Sequence, residues 1–172
     1  MEYAKIIGFC IVAACVYGIA HDMVTAHVCV EYFMPPIHPM IVTTNSPLLL
    51  ALIWGVIATW WVGLFLGIML AVVCRIGQRP KLTVNDIVRP TLFLLTFLYI
   101  ISMLFGVVGY IAGQMRWVWL LPPISQAVAA ERHALVLFDL WAHGAAYIFV
   151  VIGGIVLMIF AWKKRQSASC PC

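Results

Sequence analysis

The sequence predicts an all-α, polytopic membrane protein: a four-transmembrane-helix bundle, N-in/C-in, forming one transmembrane domain over residues 1–172. Three observations lead there. Hydrophobic residues make up 65% of the chain and charged ones only 9%, against about 25% charged in an ordinary soluble domain, so there is too little polar surface to cover a core in water. The mean hydropathy is +1.09, and several apolar runs approach the roughly 20 residues that a helix needs to cross about 30 Å of hydrocarbon. Lys and Arg, finally, are distributed unevenly about those runs.

Four spans fit, at 4–23, 48–74, 87–111 and 135–162, with outer loops at 34–47 and 112–134, an inner loop at 75–86 and a tail at 163–172. Eight of the ten basic side chains then lie inside: Lys5, Arg75, Arg79, Lys81, Arg89, Lys163, Lys164 and Arg165. Only Arg116 and Arg132 lie outside, and the positive-inside rule selects this orientation. The net charge of +4 therefore reflects topology. No basic patch carries interleaved aromatics, so nucleic acid is not expected as a partner.

The first span has a rival reading. Lys5, a short apolar run and Gly18-Ile19-Ala20 resemble a signal peptide with a small-residue cleavage site, which would leave three spans. Against it, the helical pattern continues past Ala20 without a breaker before Pro35.

Ahead of the second span, Ser46 or Asn45 can cap the helix, with Pro47 in the first turn where its missing N–H costs nothing. Within the span, Ala51, Gly55, Thr59, Gly63, Gly67 and Ala71 place a small residue at every fourth position. Lipid tails are as apolar as leucine, so membrane helices associate where small side chains let backbones approach. This ridge predicts a helix contact. Because a four-residue step drifts about 40° around a 3.6-residue helix, it should wind and meet two partners. The expected partners of the chain are the lipid bilayer and, through this ridge, other membrane subunits or a second copy.

In the third span Thr83 with Asp86 resembles a capping box, Pro90 should kink the helix, and Gly106, Gly109 and Gly113 offer docking points. The fourth span offers Gly144, Ala145, Gly153 and Gly154. Trp117, Trp119 and Trp162 suit the headgroup region as anchors.

The stretch HDMVTAHVCVEYF, from His21 to Phe33, gathers charge in a chain otherwise poor in it. All five histidines, His21, His27, His38, His133 and His143, fall on the outer side, as do Asp22, Glu31, Glu131 and Asp139. With straight helices, counting about 1.5 Å per residue from Lys5 and back from Trp162 puts His21 and Asp22 at about 24 to 26 Å and His143 at about 28 Å. His27 comes out level with Asp139, and Glu31 close to His133. His27 with Glu31, and Asp139 with His143, also share helix faces as i,i+4 pairs.

Three readings follow. The groups lie at the headgroups as ordinary local structure. They bind a cofactor, either a haem held axially by His21 and His143 or a divalent transition metal drawn on His27, Glu31, Glu131, His133 and Asp139, since imidazole and carboxylate are ligands such metals favour. Or they relay protons in a small proton-coupled transporter or channel-like protein. No H-E-x-x-H or di-iron E-x-x-H pattern occurs.

The cysteines add little. Cys29 stands alone outside, Cys10, Cys15 and Cys74 lie in or beside spans, and Cys170 and Cys172 form a tail CPC able to hold a soft metal, though without supporting ligands. No nucleophile elbow or glycine-rich phosphate loop is present. A non-catalytic membrane component or accessory subunit is the leading reading.

The segment Asp22 to Phe33, the His38-Pro39 pair and the run Trp54 to Gly63 resemble small uncharacterised bacterial integral membrane proteins of unknown function. The likeness covers about residues 20–80. It implies bacterial inner (plasma) membrane residence and a role for the outer segment, and brings no activity or cofactor with it.

Overall fold

The computed structural model describes residues 1–167, and among them every regular element is helical. The long first helix, α1, runs Glu2–Val28 and ends in a 3-10 turn at Val30–Phe33. Next come α2 (Pro47–Ile57), α3 (Trp60–Arg75) and α4 (Val84–Gln114). A short α5 (Ile124–Ala127) and a 3-10 turn at Ala130–Arg132 lead into α6 (His133–Ser167). Four helices, counting α2 and α3 as one, are long and apolar enough to cross a membrane.

The expected spans are present, and each runs past its predicted ends. Hydropathy marks only the greasy middle of a helix, whereas caps and polar turns extend it. Ser46 accepts the Leu49 N–H at the start of α2, with Pro47 behind it. At the start of α4 the Asp86 carboxylate accepts both the N–H and the hydroxyl of Thr83 at 2.9 Å. Pro90 sits inside α4 without ending it. α1 continues unbroken through Ala20 to Val28.

The second span departs from expectation. It is two helices, interrupted at Ala58 and Thr59, where the Thr59 hydroxyl donates back to the Gly55 carbonyl. Hydroxyl back-bonding of this kind bends helices. The small-residue ridge also meets one partner where two were expected. A Cβ on Gly55 would lie 2.5 Å from the Ile19 nitrogen, one on Gly63 2.6 Å from the Cys10 carbonyl, and one on Gly67 2.9 Å from the Cys10 Cβ. All three glycines therefore face α1. The break at Ala58 and Thr59 falls midway along the ridge, between Gly55 and Gly63, so the ridge is not one continuous helix over which the drift accumulates.

The tightest approach is at Gly18, where an added Cβ would run into the Gly55 carbonyl oxygen and the Thr59 side chain. The carbonyl is backbone and Thr59 is tied to it by its own hydroxyl, so neither moves aside freely. Gly18→Ala is expected to cost about 1–3 kcal/mol through overpacking. A thermal unfolding midpoint equal to that of the parent protein would contradict this contact.

A second tight pair forms between α4 and α6. Gly109 lies against the Leu137 carbonyl and Trp141, Gly106 against Phe138, and Gly113 against Leu137 and Ala134. Gly153 and Gly154 accept Leu94 and Leu66, whereas Gly144 meets nothing within 4 Å. The two pairs, α1 with α2 and α3, and α4 with α6, join more loosely through α3 against α6 and a thin contact of α1 with α4.

One end of the bundle is tied by Arg165. The expected tail at 163–172 is helical as far as Ser167, and Arg165 turns inward to become 0% exposed. Its guanidinium donates to the carbonyls of Ile76, Pro80 and Arg79 at 2.6, 2.8 and 3.2 Å, and to that of Val73. Lys164 reaches Asp86 at 2.7 Å, and the Arg79 guanidinium stacks 4.3 Å from the Trp162 ring centroid. Cys170 and Cys172 lie outside the described residues.

Candidate metal centre

At the opposite end, the last turns of α1 carry His21 and Asp22, and the third turn of α6 carries His143. Asp22 Oδ1 stands 3.2 Å from His21 Nδ1 and 3.2 Å from His143 Nε2. His21 is 2% and Asp22 5% exposed, and His143 is half-buried. One ligating atom from each lies within 4.8 Å of the other two.

The orientation of His143 bears on what that arrangement needs. Its Nδ1 lies 2.8 Å from the Asp139 carbonyl, an acceptor only, so Nδ1 carries the hydrogen. Nε2 then faces the Asp22 carboxylate oxygen, and the contact needs positive charge between the two atoms, supplied by a proton on Nε2 or by a bound cation. His21 Nε2 is buried and without a hydrogen-bond partner.

Comparison with protein-family models, curated proteins and solved structures finds no match.

Aromatic rings close the site from outside the bundle. Tyr32 and Phe33, in the 3-10 turn after α1, place their centroids 4.5 and 5.9 Å from that of His143. His38 holds the turn down: its Nδ1 lies 2.7 Å from the Tyr32 carbonyl, and its ring packs 4.8 Å from Trp54. Burial lowers the pKa of His38 and raises that of Tyr32. On the bundle side lies a cavity of about 70 Å³, walled by Tyr17, Tyr147 and the interruption at Ala58 and Thr59.

The haem pair of the sequence reading, His21 and His143, does come together, but in an arrangement that does not suit haem. The ring centroids are 4.6 Å apart and edge-to-face, whereas two axial ligands on one iron hold theirs on the order of 6 Å apart, from metal–nitrogen bonds of about 2 Å. No slot for a macrocycle separates them.

The five residues expected as metal ligands, His27, Glu31, Glu131, His133 and Asp139, are not brought together; among the described residues the one group of three or more is His21, Asp22 and His143. His27 is exposed and bonds the Met23 carbonyl at 2.6 Å. His133 Nε2 lies 3.0 Å from the Val128 carbonyl, and Glu131 is exposed. Glu31 faces Arg132 rather than His133, in a two-pronged pair at 3.0 and 3.0 Å. Counting 1.5 Å per residue fails past Val28 because the chain leaves α1 and folds into the 3-10 turn. Asp139 is 0% exposed and neither of its carboxylate oxygens has a hydrogen-bond partner.

Sequence reasoning missed Asp22 as the bridging group. Neighbours in sequence point about 100° apart on a helix, so the i,i+4 rule that pairs residues on one face does not join Asp22 to His21. The adjacency in His21-Asp22 was the available signal, and it needed the knowledge that α1 is enclosed on more than one side here.

The Glu31–Arg132 pair ties the turn after α1 to the start of α6. Arg132 pulls the Glu31 carboxyl down from its ordinary 4.5 to about 2. The folded value lies below the unfolded one, so the stabilisation is complete above pH 4.5 and is lost as pH falls through about 2. Glu31→Gln is expected to flatten that part of the acid dependence of the thermal midpoint. Parallel curves for variant and parent would show that the pair carries none of it. Nearby Cys29, which donates to Glu31 at 3.3 Å, is pushed up to about 12 mainly by burial, which makes it an unreactive thiol.

Proposed function

We propose that this is a multi-pass protein of the bacterial inner membrane, with both termini inside, that holds a divalent transition metal between His21, Asp22 and His143 at its outer end. The observation that carries the reading is the pair of 3.2 Å contacts from Asp22 Oδ1 to two imidazole nitrogens. A charge-assisted hydrogen bond draws such atoms to about 2.7–2.9 Å. Ligands about 2.0–2.2 Å from a tetrahedral zinc stand roughly 3.3 Å from one another. Two imidazoles and a carboxylate form the donor set of zinc and non-haem ferrous sites that keep a position open. The bond from His143 Nδ1 to a backbone carbonyl is the usual outer support of a ligating histidine.

Metal analysis of the purified protein tests the reading. About one zinc, iron or manganese per chain is expected. A protein free of metal, and not stabilised by added Zn²⁺, Mn²⁺ or Fe²⁺, overturns it.

Orientation has its own test. Ser125→Cys is expected to react with a membrane-impermeant maleimide in intact cells, and Gln78→Cys only after lysis. The reverse pattern would turn the protein over and place the histidines in the cytoplasm.

A second reading, a proton-coupled transporter, draws on the interruption at Ala58 and Thr59 beside the cavity, since transporters build sites at broken helices. Asp139, a buried carboxylate one turn from His143, suits proton transfer. Proteoliposomes that show no proton flux after a pH jump would set it aside.

A further inference from the structure

Each helix pair is welded by close glycine contacts, but the seam between the pairs is filled by longer side chains and keeps two cavities of about 70 Å³ each. One lies beside His21, Asp22 and His143. The other continues toward the Arg165 end as far as Leu70 and Leu157. Ala14, Val62, Leu95 and Val150 wall both, so the two cavities lie end to end along one seam, a slot divided by these side chains. A third hollow, about 450 Å³, lies between α1 and α4. It shares Tyr17 with the first cavity, Ala13 with the second and Leu95 with both.

This slot is polar at one end and apolar along the rest. Protein interiors otherwise pack as densely as organic crystals, and an apolar void forfeits dispersion contacts on every wall. Toward water the polar end is covered by Tyr32 and Phe33. Sideways only the side chains of Ala13, Tyr17 and Leu95 separate the seam from the hollow on the flank of the bundle, between helices that touch thinly. The least covered side of the seam thus faces the hydrocarbon rather than the aqueous phase.

The geometry points to a binding site for a single-chain amphiphile taken from the bilayer, with an oxygen-bearing head at His21, Asp22 and His143 and its tail laid along the seam. The two cavities, together about the size of one that holds a benzene ring, take the first few carbons of a single chain, and the neighbouring hollow of about 450 Å³ has room for the rest. The proposal rests on the metal reading only for what grips the head. Because lipid tails are as apolar as the slot, the tail is favoured by filling a void rather than by leaving water.

The test uses the full chain in nanodiscs of two-chain phosphatidylcholine, with dodecanohydroxamate and acetohydroxamate as metal-binding probes of different tail length. Binding is read as protection against thermal unfolding. Leu95→Trp, and independently Val150→Phe, should weaken dodecanohydroxamate by about tenfold and leave both acetohydroxamate binding and metal content unchanged. Those unchanged readings also report that the variants fold. Dodecanohydroxamate binding that is unchanged in both variants means the long tail simply dissolves in the bilayer, and overturns the slot while sparing the metal. Tail-dependent binding that survives His143→Ala and chelation supports the slot and overturns the metal.

Discussion

His143→Ala is expected to lower bound metal from about one per chain to below about one tenth, with a loss of affinity of about 100-fold or more. Removing even an outer-shell partner of a metal ligand costs about 10–100-fold, and in the proposed centre His143 would supply one of three ligands, the one that comes from a different helix. Without it, His21 and Asp22 remain as neighbours on α1, a pair too sparse to hold a transition metal against water. Asp22→Asn should fall as far, because it removes the anionic oxygen that both imidazoles share. Two controls separate site from scaffold. His27→Ala changes an exposed ring that bonds only its own helix, and Asp139→Asn keeps the backbone carbonyl on which His143 Nδ1 rests. Both should retain the metal. If His143→Ala binds metal as the parent does, the centre lies elsewhere.

Arg165→Met should lower the thermal midpoint by roughly 6–12 °C, corresponding to about 3 kcal/mol at 2–4 °C per kcal/mol for a chain of this size. The guanidinium donates to four carbonyls, of which Val73 and Ile76 belong to the end of α3. The last carbonyls of a helix have no partner within it, and they carry the negative end of its dipole. Methionine fills similar space and offers neither charge nor donor, leaving buried carbonyls unmatched. Arg165→Lys keeps the charge but replaces the planar fork by a point donor, so it should recover only part of the loss. A midpoint within 2 °C of the parent's for Arg165→Met would show that water or the backbone replaces these bonds at little cost.

The four helices were legible because hydropathy along a chain is a local property and each helix satisfies its own backbone. Ser46 with Pro47, and Thr83 with Asp86, were legible for the same reason, since their partners lie within three residues. Arg165 was not. Its charge placed it in a polar tail, and only the fold supplies the carbonyls from the α3 end that make its burial tolerable. The break at Ala58 and Thr59 was hidden because Thr59 reads as one more small residue of the ridge in an otherwise apolar run.

Among the polar residues, counting depth brought His21 and His143 to one level because both lie on regular helix. The same count misplaced Glu31, which stands beyond the end of α1 where the chain turns, and it could not show that the His27 ring on α1 faces outward.

What the amino-acid sequence by itself determined was the material of the protein: four greasy helices, their caps, and a polar endowment gathered at one end. Tertiary structure decided which of those polar groups meet, putting His21 and Asp22 against His143, Glu31 against Arg132, and Asp139 alone. The physical reason is that helix formation needs only neighbours along the chain, whereas a shared site depends on the rotation of each helix about its axis. That rotation is set by how glycines and large side chains interlock across helices, which no single segment contains.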